Sequence, residues 1–286
     1  MTSLALPLRH AQFPSPSVAR PATLMHARLL RENRVLDALP DSVWERIGPA
    51  LSLVSLPAGK ELQGSGVSLD AMYFPTDAVI SLQYAMRNGD TAQVARIGCD
   101  GVLGVSLVMG GDAAPCRAVV QNPGHAFRLR GDVLQQEFER GGAMTQLVLR
   151  CSQALCCQSA QTALCNRHHP VEQQLARWLL LTLDCIPGNT LTITHQAIAD
   201  ALGVRRESVT QALPALRRLG AIAHGRNSIT VLDRELLQSQ SCECYETIRR
   251  ETERLLPQRD ELERMGRWSD SQPVHGLGVG SMGLPR

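Results

Sequence analysis

The sequence predicts an α+β fold: an N-terminal double-sheet β-roll, a long helix, and a C-terminal winged helix-turn-helix. Three observations carry this reading. Between residues 51 and 129, short apolar runs are broken repeatedly by Gly, Pro and Asn, the pattern of a roll of short strands. From Gly142 the period becomes helical, with a seam of alternating spacings of four and three. Between Thr194 and Arg218 two short helical patterns meet at Gly203, and a strand–turn–strand signal follows.

In order, VLDALPDSVWERIGPAL supplies two short helical segments whose Val35, Leu36, Leu39, Val43, Trp44 and Ile47 can face a core. Leu51, Leu53, Val54 and Leu56 read as a strand ending at the turn Pro57-Ala58-Gly59-Lys60. Strands follow at 72–75, 78–84 and 92–97, the last two separated by Asn88-Gly89-Asp90. Val119-Val120, a turn at Asn122-Pro123-Gly124 and Ala126 to Leu129 close the set. Along the long helix, Met144, Val148, Cys151, Leu155, Gln158 and Thr162 form the expected dimer seam, with Cys165 continuing it. The alternative is that this helix lies flat across its own chain's sheet domain. Val171 to Leu183 then forms the floor for the helices that follow.

The helix-turn-helix carries the chemistry. Thr194 is placed to cap a helix in which Ile198, Ala199 and Leu202 share a face, and Gly203 ends it. Val209, Leu213 and Leu216 turn the second helix back toward the first. Its outer face then presents Arg205, Arg206, Glu207, Ser208, Thr210 and Gln211, groups that pair with phosphates and with base edges of the major groove. Residues 221–223 and 228–232 flank His224-Gly225-Arg226-Asn227 as a small hairpin, with Arg226 at its tip near a sugar-phosphate backbone. A plain helical hairpin in an all-α domain would not continue into such a wing.

Composition bounds the partners. The 286 residues carry 29 Lys+Arg against 27 Asp+Glu, a formal charge of +2, so nucleic-acid affinity has to come from a local patch. No apolar run approaches a membrane span, which argues for no membrane partner. The start, MTSLALPLRHAQFPSPSVARP, has no basic region ahead of its short apolar run and is a poor export signal. Nine unevenly spaced cysteines do not suit a disulfide framework, and a reducing cytoplasm is expected. No Gly-x-Ser-x-Gly elbow, phosphate-loop lysine motif or His-Glu-x-x-His helix occurs, so an enzyme is not expected. A protein-interaction module that has lost DNA binding is the remaining class. It predicts loss of the basic face, yet Arg205, Arg206, Arg217 and Arg218 are present.

Taken together, QTALCNRHHPVEQQLARWLLLTLD, LTITHQAIADALGVRRESVTQALPALRRLGAI and GRNSITVLDRELL resemble the Crp/Fnr superfamily from about Asn33 to Tyr245, most strongly in the C-terminal half. The resemblance implies a homodimeric, cytoplasmic transcription factor, activator or repressor, that binds a palindromic double-stranded operator. An activator would also have RNA polymerase as a partner. It implies a cyclic-nucleotide-binding-like β-roll sensor (29–140), a dimerisation helix (141–166) and a winged helix-turn-helix (167–245). Outside that match, composition predicts a flexible, proline-rich N-terminal segment (1–28) and a C-terminal extension (246–286), partly helical with a break at Pro257, then glycine-rich and disordered. Base-reading positions fall at Arg206, Glu207 and Gln211. Many relatives have arginine at the last of these, and glutamine suits adenine where arginine suits guanine.

Cyclic-nucleotide binders of this superfamily hold the phosphate with a glycine-glutamate step, a short helix, and an arginine followed by a hydroxyl residue. Here Asp100-Gly101 takes the place of the first element, while Cys116 and Arg117 stand where the arginine and hydroxyl belong. Gly98, Asp100, Gly101, Gly104, Cys116 and Arg117 are the candidate effector pocket, its glycines leaving backbone N–H groups free for an anion. The one-residue displacement points Arg117 to the other face of its strand and argues against cyclic AMP. A cyclic-nucleotide response, a small effector of another kind, a pocket with no ligand, or a redox or metal response through cysteines stays open.

No cofactor and no metal are assigned. Cys156 and Cys157 are adjacent, which suits neither an iron–sulfur cluster nor tetrahedral zinc. Cys165, His168, His169 and Glu172 could gather a metal, but the spacing also fits a structural connection between the long helix and the DNA-binding module. Cys242-Glu243-Cys244 lies just beyond the wing, where a strand-like segment would put both thiols on one face for redox chemistry. His10, His26 and His125 are isolated, with nothing around them to enclose a haem.

Overall fold

In the computed structural model, residues 29–111, 113, 116–225 and 227–256 are described. The expected N-terminal segment at 1–28 and the part of the C-terminal extension beyond 256 lie outside them. Two short helices, α1 (Arg34–Asp37) and α2 (Asp41–Ile47), lead through a 3-10 turn (Gly48–Ala50) into the roll. The roll consists of β1 (Leu51–Leu56), β2 (Glu61–Gln63), β3 (Ala71–Pro75), β4 (Val79–Ala85), β5 (Thr91–Ile97), β6 (Arg117–Asn122) and β7 (Gly124–Arg130). These strands pair antiparallel in two sheets, of order β1-β7-β3 and β2-β6-β4-β5. The double-sheet reading therefore holds, and β2, a three-residue edge strand, is an element that its short sequence did not announce.

Sheet formation follows local chemistry. Gly89, at φ +91°, makes the tight turn between β4 and β5 that Asn88-Gly89 foreshadowed. Between the sheets, Leu56, Ile80, Ile97, Val120 and Ala126 form one core. A second core lies behind the β1-β7-β3 sheet and gathers Val35, Leu36, Leu39, Val43 and Ile47 from the opening helices with Phe74, Phe127 and Leu129. Helix α3 (Gly131–Glu139) follows the last roll strand and adds Leu134 to this core.

Next comes α4 (Ala143–His168), 26 residues long, then α5 (Val171–Leu183). The rest is a compact winged module: β8 (Thr190–Thr192), α6 (His195–Leu202), α7 (Arg206–Arg218), β9 (Ile222–His224), β10 (Ser228–Val231) and α8 (Arg234–Ser239). Its sheet has the order β8-β10-β9, so the wing hairpin gains a third strand. Helix α5 is buried nearly all round and serves as the expected floor. Finally α9 (Cys244–Leu255) crosses between cores: Tyr245 and Ile248 join the winged module, and Leu255 packs with the roll. Among the described residues, no helix is long and apolar enough to cross a membrane.

Asn33 ties the entry of the chain to this frame. Its side-chain oxygen accepts from the backbone N–H groups of Val35 and Leu36 at 3.1 and 3.2 Å, capping α1. Its amide donates to the carbonyls of Pro75 at 2.8 Å and Gly101 at 3.1 Å, and the residue is fully buried. Replacing Asn33 with Ala removes the cap and leaves the buried Pro75 and half-buried Gly101 carbonyls without their donor, and should cost about 2–3 kcal/mol. Urea unfolding checks this: the midpoint should fall with an unchanged slope, and an unchanged midpoint would refute the role.

Candidate nucleic-acid interface

The helix-turn-helix forms for the reasons its residues suggest. Thr194 accepts the backbone N–H of Ala197 at 3.2 Å, capping α6. Gly203 ends that helix in the left-handed region at φ +65°. Ile198, Ala199 and Leu202 of α6 and Val209, Ala212, Leu213 and Leu216 of α7 are buried together over α5. With those faces sealed, the N-terminal turn and outer side of α7 stand free: Arg205, Arg206, Glu207, Thr210 and Gln211 are exposed, and Ser208 is half-buried. Pro214 lies inside α7 and has no N–H to offer the Thr210 carbonyl one turn back, while the Thr210 hydroxyl donates to the Arg206 carbonyl at 3.1 Å.

Charge on this face is unbalanced. Among the described residues, none of Arg205, Arg206, Arg217 and Arg218 is held in an ion pair. Arg205 and Arg206 stand at the positive N-terminus of α7, while Arg217 and Arg218 lie on its last turn; the first two make a local anion-facing patch despite the nearly neutral chain. The wing strands β9 and β10 form as expected, whereas Arg226, the expected tip contact, lies outside the described residues.

The module is docked on its own roll. Trp178 of α5 donates to the Gln93 side chain of β5 at 2.9 Å, and Gly203 sits against Ala92. Arg96, also on β5, forms a bidentate pair with Asp100 (3.0 and 2.9 Å) and reaches Cys185 beyond α5 at 3.0 Å. Burial would raise the Asp100 carboxyl, but the Arg96 guanidinium, with smaller help from Arg34 and Cys185, holds it down at about 2. A polar cleft of about 160 Å³ opens beside this pair, lined by Arg34, Asp184, Arg249 and Glu253 among others.

The candidate effector residues are only partly brought together. Gly98, Asp100 and Gly101 cluster, but at the junction with the winged module: a Cβ on Gly98 would collide with Cys185. Gly104 turns at φ +112° above the backbone of Ala71 and Met72. Arg117 is on a different edge, where its Nε donates to Glu61 of β2 at 2.7 Å. Cys116 is buried at the start of β6. A larger cleft of about 400 Å³ lies beside the 3-10 turn Val105–Leu107, lined by Ser68, Ser106, Gly110, Gly111, Phe138 and Glu139 among others, with no cationic side chain.

The seam expected on the long helix is corrected. Met144, Val148, Cys151, Gln158 and Thr162 are buried, and Leu155 is half-buried, all within their own chain. The Gln158 side chain accepts the Arg96 backbone N–H, and Thr162 accepts from Arg177 at 3.2 Å. The roll, α5 and α9 cover this face, so it is unavailable to a second copy. The opposite face is open: Leu149, Gln153, Cys156, Ala160, Ala163 and Arg167 are exposed and repeat at spacings of four and three. Of the residues weighed as metal ligands, Cys165 and His169 point into the fold while His168 and Glu172 are exposed. The groups that join the first two are Cys242 and Cys244, distant in sequence.

The chain thus joins a β-roll by one long helix to a winged helix-turn-helix, the fold of a DNA-binding module. Residues 173–240 match the Crp-like helix-turn-helix domain. The global nitrogen regulator of Nostoc sp. is 25% identical over 175 residues, covering 58% of this chain and 78% of the relative. FixK2 from Bradyrhizobium japonicum aligns with a TM-score of 0.58 at 15% identity, over 67% of this chain and 98% of that one. A Crp/Fnr regulator from Thermus thermophilus aligns with a TM-score of 0.53 at 20% identity, over 66% and 98%. Residues 173–240 are thus a Crp-like helix-turn-helix domain, the remainder of the chain shares its fold with Crp/Fnr regulators, and the proteins it resembles are regulators.

The Arg96–Asp100 pair gives a pH-dependent test of the docking. The carboxyl is lower in the folded chain than in the unfolded one, so its contribution is full above about pH 4 and is lost as pH falls toward about 2. Asp100→Asn leaves the Arg96 charge buried without its carboxylate and should cost about 3 kcal/mol at neutral pH. Denaturant unfolding across an acid pH series should show the variant's deficit shrinking toward the acid end. Equal deficits at every pH would rule out this pair as the lock.

Proposed function

We propose that the chain works as a homodimer that reads a two-fold symmetric operator with α7, under control other than by cyclic AMP. The observation that carries this is the exposed, unpaired basic turn of α7 on a helix-turn-helix whose apolar faces are otherwise buried. Arg206 suits guanine, Glu207 the amino group of cytosine, and Gln211 adenine, while Arg205, Ser208, Thr210 and Thr194 serve phosphates and groove edges. The open stripe of α4 supports the dimer: Leu149, Cys156, Ala160 and Ala163 are small or apolar at seam spacing, which lets two parallel helices approach closely. Against cyclic AMP stand the Arg117–Glu61 pair and the absence of a cation around the 400 Å³ cleft. A cyclic phosphate in a partly dry site needs positive charge or several aimed N–H donors.

Selection from a randomised duplex library should enrich a palindrome with half-sites about 34 Å apart. Arg206→Ala should weaken binding by about 1–3 kcal/mol and relax one position in each half-site. Added cyclic AMP should leave the affinity unchanged. No enriched motif, or a motif indifferent to Arg206→Ala, would end the reading.

For the dimer, Leu149→Asp and Ala160→Asp should yield folded monomers in sedimentation, because each puts a charge in the seam. Val148→Asp should instead unfold the chain, since Val148 is fully buried in its own core. Mild oxidation should cross-link two wild-type copies through Cys156, and Cys156→Ser should abolish the cross-link. An unchanged oligomer in both outer-face variants would sink the assignment.

A further inference from the structure

We infer that Cys165, His169, Cys242 and Cys244 form a tetrahedral zinc site that clamps the end of α4 to the winged module. The four candidate ligand atoms all lie within 4.8 Å of one another. Cys165 Sγ and Cys242 Sγ are 3.5 Å apart, and Cys244 Sγ is 3.6 Å from His169 Nδ1. A tetrahedral ion with Zn–S of about 2.3 Å and Zn–N of about 2.0 Å separates its ligand atoms by about 3.5–3.8 Å. The three thiols are buried and the imidazole is half-buried, the enclosure of a structural rather than an open catalytic site. An iron–sulfur cluster interposes several irons and sulfides and spreads its thiolates wider than one shared ion does.

Local structure sets these groups without strain. Cys165 and His169 are one turn apart, on the last turn and cap of α4, so both side chains leave the helix on one side. Cys242 and Cys244 flank Glu243, the N-cap of α9, where the helix N-terminus favours thiolates. Glu243 also supplies the outer partner that a metal-bound histidine needs. Its carboxylate lies 3.4 Å from His169 Nε2, the ring nitrogen turned away from the thiols, which leaves Nδ1 to the metal.

A second, independent observation is Arg177 of α5. It is 3% exposed, its Nε has no hydrogen-bond partner, and among the described residues it pairs with no carboxylate. Its Nη1 donates to Thr162 Oγ1 at 3.2 Å, one turn before Cys165 on α4. Three thiolates, one neutral imidazole and Zn²⁺ carry a net charge of minus one, which supplies the anion this buried guanidinium lacks. Binding is a ligand exchange without redox change: Zn²⁺ sheds water, the three thiols release their protons to solvent, and four bonds to the metal form.

The test uses the full-length chain, purified under reducing conditions. Mass spectrometry of its metal content should find one zinc per chain, and Co²⁺ exchanged for zinc should show the ligand-field absorption of a tetrahedral thiolate site. Cys242→Ser and Cys244→Ser should lose the metal, whereas Cys156→Ser should keep it. Glu243→Gln should retain the site with affinity about 10- to 100-fold weaker. Competition with a chelator of known affinity on the wild type gives a reading that does not depend on variant folding. Failure of the reduced wild type to take up Zn²⁺ or Co²⁺ would overturn the proposal. So would iron in place of zinc, or zinc retained in both cysteine variants.

Discussion

The one-sided burial of α4 is the constraint on which the rest of this structure depends. A helix of 26 residues reaches from the roll to the winged module, and its inner face is claimed by three different neighbours. Met144, Leu147, Val148 and Cys151 enter the core behind the β1-β7-β3 sheet. Gln158 and Thr162 switch the same face from apolar packing to hydrogen bonds with Arg96 and Arg177. Cys165 ends it among the thiols beside α9. Each segment of the helix is thereby matched to what lies beneath it, and the outer stripe is left over.

That arrangement makes β5 the meeting place of sensor-like roll and DNA-binding module. Gln93 and Arg96 both project from it to groups on or beyond α5, and Ala92 touches the turn between α6 and α7. Two of these contacts are polar and buried, so each is strongly dependent on geometry. Separating the buried Arg96 guanidinium from its carboxylate, or the Trp178 indole N–H from its acceptor, leaves a desolvated polar group unpaired and is costly. Displacement of β5 therefore cannot be absorbed silently by the helices that present α7. Helix α9 reinforces the same junction from the other side, because its first turn belongs to the winged core and its last to the roll.

What the sequence determined by itself was whatever depends on neighbours in the chain. The cap at Thr194, the break at Gly203, the Asn88-Gly89 turn and the burial stripes of α6 and α7 are all local. They led directly to the helix-turn-helix and to the basic residues it exposes. What only the tertiary structure decided was where the ambiguous faces and scattered groups go. On α4, Met144 to Thr162 and Leu149 to Arg167 both repeat at spacings of four and three, so periodicity marks two stripes without saying which one the chain covers. The thiols of Cys165 and Cys242 lie 77 residues apart in sequence and meet only because α9 folds back on α4. Arg117 and Asp100 are close in sequence yet serve different edges, since β6 sends one to Glu61 while the loop after β5 sends the other to Arg96. Local signals follow from backbone geometry over a few residues; partnership across the fold depends on which surfaces collapse together, and no short window of sequence contains that.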